Sequence, residues 1–110
     1  SRIASIEMLA FAEGDAAVPY QLELLRDDRL AYRQMYALES LERTASVSAA
    51  KGLISVLEDP VSKCGINDKT LILAVYKMRE KNLPGVREAT EEFVKKHPRP
   101  IEPKVPYIAD

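Results

Sequence analysis

Apolar residues return every three or four positions along this chain, the spacing of helices that each bury one stripe. In residues 3–12 the stripe is Ile3, Ile6, Leu9 and Ala10, and Glu13, Gly14 and Asp15 end it. A second helix opens near Pro19, whose fixed φ suits a first turn, and carries Tyr20, Leu22, Leu24 and Leu25 to a break at Asp27 and Asp28. Asp28 is placed to cap a third helix that runs through Glu42. Its inner face is expected to hold Ala31, Met35, Leu38 and Leu41, with Arg29, Arg33 and Glu39 in water. Thr44, Ser46 and Ser48 each offer a hydroxyl to the next helix start. That helix shows Val47, Ala50, Leu53, Ile54 and Leu57 on its apolar face and stops at Asp59 and Pro60.

After a loop over residues 61–65, Asn67 is a cap candidate, and Ile66 before it can staple onto Leu71. Leu71, Ile72, Val75 and Met78 form the inner stripe of that helix, which Asn82, Leu83, Pro84 and Gly85 terminate. A last helix bearing Val86, Ala89, Phe93 and Val94 closes at Lys95, Lys96 and His97, cations suited to the negative end of a helix dipole. Four of the seven prolines then fall in the final thirteen residues, so the end of the chain reads as extended. The pattern predicts an all-α fold of five to six short antiparallel helices over residues 1–97, a bundle or a short α-solenoid. A proline-rich extended tail over residues 98–110 follows it. With no Trp, two Phe and four Gly, the core has to be aliphatic, which suits helix packing.

Two helix endings resemble each other: Leu24, Leu25, Arg26, Asp27, Asp28 and, thirty-two residues on, Val56, Leu57, Glu58, Asp59, Pro60. Phe93 to Pro98 forms a third, degenerate version. Such a period, with two helices per unit, is the mark of α-solenoids, in which each pair buries its face by stacking on the next. The stretch from Tyr20, Gln21 and Leu22 to Asp59 resembles a HEAT-type repeat, with Arg33, Ala37 and Leu41 in its second helix. More loosely, Tyr20-Gln21-Leu22, Arg26-Asp27, Ala37-Leu38-Glu39 and Leu41-Glu42 look like the helical region of zinc aminopeptidase-like proteins, among them the aminopeptidase-like subunit of the transcription factor TFIID. The loop over residues 61–66 and the proline tail depart from that pattern. The resemblance implies a scaffold that holds partners. It carries over no catalytic residue, because the zinc-binding motif of that family is absent here.

Composition narrows the function classes. At 110 residues the chain is one small domain or a piece of something larger, and its start at Ser1 reads as processed or excised. Sixteen basic against seventeen acidic residues leave a net charge of -1, which removes bulk attraction to nucleic acid or anionic lipid as the default. No apolar run approaches the roughly 18–20 residues that cross a bilayer, and the N-terminus lacks the order of a signal peptide, so no membrane partner is expected. Cys64, the single cysteine, cannot form an internal disulfide and fits a reducing, intracellular compartment, cytoplasmic or nuclear.

Candidate chemistry is sparse. One histidine and one cysteine cannot assemble a conventional zinc site, and no cofactor motif occurs. Lys69-Thr70 lacks the glycines of a phosphate loop, and Asp68 beside it would repel phosphate. His97 reads as a helix-end contact rather than a base for Cys64 or a serine. Cys64 next to Lys63 has one neighbour that favours a thiolate, less than a reactive cysteine needs. Asp27-Asp28 and Glu91-Glu92 read as a cap and a solvated face rather than an acid–base pair.

Interaction candidates remain. Lys95, Lys96, His97 and Arg99 form a basic end without the interleaved aromatics that nucleic-acid binding uses. Pro100, Pro103 and Pro106 give Pro-x-x-Pro spacing twice, with Tyr107 after them; such a segment suits an aromatic groove, or else serves as a linker or a strap over the helices. Tyr32 and Tyr36, four apart with Arg29 and Arg33 nearby, read as core-edge packing first and as a partner-facing ridge second. Tyr76 invites the same two readings. The expected function is a non-enzymatic protein-interaction or scaffold module that displays a helical surface and an extended tail. The alternatives are a self-associating structural subunit of a larger assembly and, behind it, a nucleic-acid-binding module using the basic end.

Overall fold

The computed structural model describes residues 14–26, 31–62 and 64–102. The stripe over residues 3–12, the cap expected at Asp28, Arg29, and the tail residues Pro103, Pro106 and Tyr107 lie outside that range. Among the described residues every regular element is a helix. A short 3₁₀ turn, Asp15–Ala17, leads into α1 (Val18–Leu25), followed by α2 (Ala31–Thr44), α3 (Val47–Glu58), α4 (Asp68–Glu80) and α5 (Val86–Lys96).

Local chemistry places the ends. Pro19 sits in the first turn of α1, where its missing N–H is one of the orphans anyway. Of the three hydroxyls between α2 and α3, Ser46 is the cap: its Oγ accepts from the Ala49 N–H at 3.2 Å and donates to the Asp15 carboxylate. Thr44 is instead the last residue of α2 and accepts from the Gly14 N–H. Asn67 caps α4 by accepting from both the N–H and the hydroxyl of Thr70. Gly85, at φ 83, occupies the left-handed region before α5, where a Cβ would be strained.

Helix α3 is the centre of the packing, touching α1, α2, α4 and α5. Each helix meets the next, and α1 meets α3, α2 meets α4 and α3 meets α5. This next-but-one pairing sets α1, α3 and α5 side by side, with α2 and α4 beside each other. At the α1–α3 crossing the Leu22 side chain lies over Gly52, where a Cβ would run into its Cδ1. Leu25, Leu38, Leu41, Leu53, Leu71, Val75, Met78 and Val86 are fully buried together.

The faces differ from the sequence reading at several positions. Met35, expected inside, is 40% exposed, and the buried face of α2 is Gln34, Ala37, Leu38, Ser40 and Leu41. The hydrophobic pattern centres the stripe one residue too far round, because Gln34 and Ser40 are polar and give no signal in it. Gln34 is buried because its amide is used at both ends. Its Nε2 donates to the Leu25 carbonyl at 2.7 Å, and its Oε1 accepts from the Gly65 N–H at 3.0 Å. A buried polar group that satisfies two backbone partners avoids the cost of desolvation and joins the end of α1 to the loop before α4.

Candidate protein-docking surface

Positions 32, 35, 36 and 39 follow the i, i+3, i+4, i+7 rule and so share one flank of α2. Tyr32 is 60% exposed, Tyr36 44% and Met35 40%. Their rings meet edge to face with centroids 6.5 Å apart, and the Arg33 guanidinium lies 5.1 Å from the centroid of Tyr32. The result is an ordered aromatic row in water, although each ring has a partner beside it in α2.

Met35 also forms one wall of a groove of about 670 Å³ between α2 and α4, with Leu38, Ile66 and Leu73 as further apolar lining. Glu39, Glu42 and Lys77 line it too and continue into a shallower trough with Glu80 and Lys81. Burial pushes the Glu42 carboxyl above its usual range, and the Glu39 and Glu102 charges add to this, while Lys77 and Lys81 oppose it. Residue spacing points only to Glu39 beside this perturbed carboxyl, since its other charged neighbours come from α4 and from Glu102.

The sign of its pH dependence follows. A carboxyl whose folded-state pKa is raised binds its proton more tightly in the fold, so it favours folding at low pH, and that contribution is lost as pH rises through the folded value. The unfolded value is near 4.5. Glu42→Gln, which is permanently neutral, is therefore expected to raise Tm at pH 7 and to lose that advantage as the pH falls through the raised folded-state value towards 4.5. Thermal melts of both proteins across pH 3.5–7.5 check this; a lower Tm for the variant at pH 7 would mean that its lysine neighbours outweigh burial.

The other candidates are dispersed. Lys95 faces Glu92 at 3.5 Å, and Lys96 is exposed on the same helix end. Arg99 turns away to pair with Glu80 and lies over the Tyr76 ring, 5.7 Å from its centroid. His97 caps α5, and its ring stacks on Phe93 with centroids 4.4 Å apart. The Tyr76 hydroxyl donates to the His97 carbonyl, so this tyrosine fastens the end of α5 rather than facing a partner. Pro100 is half-buried beside Leu73, whereas Ile101 is 97% exposed. Cys64 packs partly against the core, and burial pushes its thiol up, opposite to the effect expected from Lys63. Among the described residues no three His, Cys, Asp or Glu side chains stand together as a metal site, and no helix is long and apolar enough to cross a membrane.

No family model, curated protein or solved structure matches the chain.

Proposed function

We propose that this chain is a non-enzymatic protein-interaction module whose docking surface is the flank of α2 bearing Tyr32, Met35 and Tyr36. The observation that carries the reading is this exposed row of two aromatics and a thioether on a helix whose opposite face is fixed in the core. Aromatic side chains supply much contact area for little lost rotamer freedom, and methionine adapts to varied shapes, which is why both concentrate at protein interfaces. The next-but-one helix contacts support a stack of helical pairs of the HEAT kind, a form suited to holding such a flank rigid. Catalysis is not part of the proposal: Glu42 stands in an open groove with Lys77 and other carboxylates, and among the described residues no nucleophile and base pair lines it. The half-buried single cysteine suits an intracellular, reducing setting.

Replacing both Tyr32 and Tyr36 with Ala is expected to change Tm by less than about 3 °C, because exposed positions contribute little to stability. The same change is expected to abolish partner capture by the tagged chain in a quantitative pull-down. A large fall in Tm would return the tyrosines to a structural role. Self-association is the competing use of the same row, and light scattering over a concentration series separates them. A mass that rises with concentration for the wild type and not for the double variant identifies the partner as a second copy.

A further inference from the structure

We propose that the groove between α2 and α4 receives an amphipathic, lysine- or arginine-bearing helix of a partner protein, with its apolar face on Met35, Leu38 and Leu73 and a cation between Glu39 and Glu42. This occupant rests on the reading of the chain as a protein-interaction module, and it names the chemistry of the partner. Met35 joins the two surfaces, because it stands in the row from Tyr32 to Glu39 and in the groove wall at once.

Shape favours a length of chain over a compact ligand. The groove starts where Gln34 meets Gly65, passes Glu42 and Lys77, and is carried on by the trough to Arg43 and Lys81. Residues 34 to 43 of α2 rise about 14 Å, or about two and a half turns. A helix laid in such a channel sets down an apolar side chain every three or four residues, the helix-in-groove mode of recognition. Met35, Leu38 and Ile66 gather towards the Gln34 end and Glu42 towards the Arg43 end, so the two ends ask for different side chains.

Charge decides the sign of the partner. Lys77 is held by Glu102 at 3.0 Å, Arg99 pairs with Glu80, and the Lys81 ammonium donates to the Arg43 carbonyl at 3.4 Å. Among the described residues no cation closes on Glu39 or Glu42 as an ion pair. Lys77 and Lys81 act on the Glu42 carboxyl from a distance, yet burial outweighs them and pushes it up. A cation that arrives on an apolar stem restores to this carboxylate what desolvation removed. An acidic segment would add to the repulsion from Glu39 and Glu102 instead.

The test is an NMR titration of the methyl-labelled full chain with a synthetic leucine-lysine amphipathic helix of about fourteen residues, and separately with its leucine-glutamate counterpart. The leucine-lysine peptide is expected to shift the methyl resonances of Met35, Leu38, Ile66 and Leu73 and to leave those of buried Leu53 and Val86 in place; the leucine-glutamate peptide is expected to shift none of them. The double variant Glu39→Gln, Glu42→Gln is expected to bind the leucine-lysine peptide about tenfold more weakly, its Leu53 and Val86 resonances reporting that the fold is intact. The variant Tyr32→Ala, Tyr36→Ala is expected to keep the groove shifts, so unchanged partner capture by that variant removes the tyrosine row and leaves the groove standing. Three results overturn the proposal: groove shifts of equal size from both peptides, none from the leucine-lysine peptide, or undiminished binding by the double glutamine variant.

Discussion

Leu53→Ala is expected to cost about 2–5 kcal/mol, the range for truncating a fully buried leucine where the surroundings relax only in part. For a domain of this size that lowers Tm by roughly 8 °C or more. The site is severe because α3 touches all four other helices and Leu53 is wholly buried at its midpoint, so the void cannot close by shifting one neighbour alone. Ser55→Ala, on the exposed side of the same helix, serves as the control and is expected to leave Tm within about 3 °C. Urea denaturation of both variants checks the ranking. A cost below about 1 kcal/mol for Leu53→Ala would show that α3 is not the centre of the packing.

Gln34→Leu is expected to cost about 2–4 kcal/mol even though it preserves bulk and adds an apolar group to a buried site. The substitution leaves the Leu25 carbonyl and the Gly65 N–H without the partners they have at 2.7 and 3.0 Å. The buried Leu25 carbonyl stranded away from water costs about 1–3 kcal/mol, and loss of the part-buried bond from Gly65 adds about 0.5–1.5 kcal/mol. Glu at the same position is no remedy, because a carboxylate oxygen would face the Leu25 carbonyl. Hydrogen exchange gives a local readout: the Gly65 amide is expected to lose its protection in Gln34→Leu while the α5 amides keep theirs. An unchanged Gly65 amide would show that the bridge from α1 to the loop is dispensable.

The contrast between Leu53 and Gln34 explains what the sequence makes legible. Leu53 lies on an apolar stripe of period 3.6 and Asn67 caps from within three residues of its partner, so both are readable from local spacing, whereas spacing leaves Ser46 one of three equivalent hydroxyls and the structure selects it. Pro19 and the Asn82 to Gly85 turn announce helix ends by backbone chemistry alone. Gln34 bridges partners 9 and 31 residues away, and no local pattern marks a polar residue for burial. The same blindness put Met35 inside: hydrophobicity says which residues could be buried, while the position of α4 decides which side of α2 has room.

The candidate surface divides along the same line. That Tyr32 and Tyr36 share a flank is a matter of spacing, but their exposure depends on which helices lie against α2. Tyr76 looked equivalent in sequence and is a fastener, because the end of α5 comes within reach of its hydroxyl. Lys95 and Arg99 are neighbours in the chain, yet Glu92 and Glu80 draw them to different places. Glu42 and the groove arise only where α2, α4 and Glu102 converge.

The most direct measurement of the central claim is site-specific photocrosslinking. A benzophenone amino acid is placed at Tyr32, at Tyr36 and, as a control, at Lys51 on the exposed side of α3, and the products are weighed by mass spectrometry. The account predicts a discrete crosslinked species of one defined mass from positions 32 and 36 and none from position 51. An equal yield from all three positions, or none from either tyrosine, would contradict it.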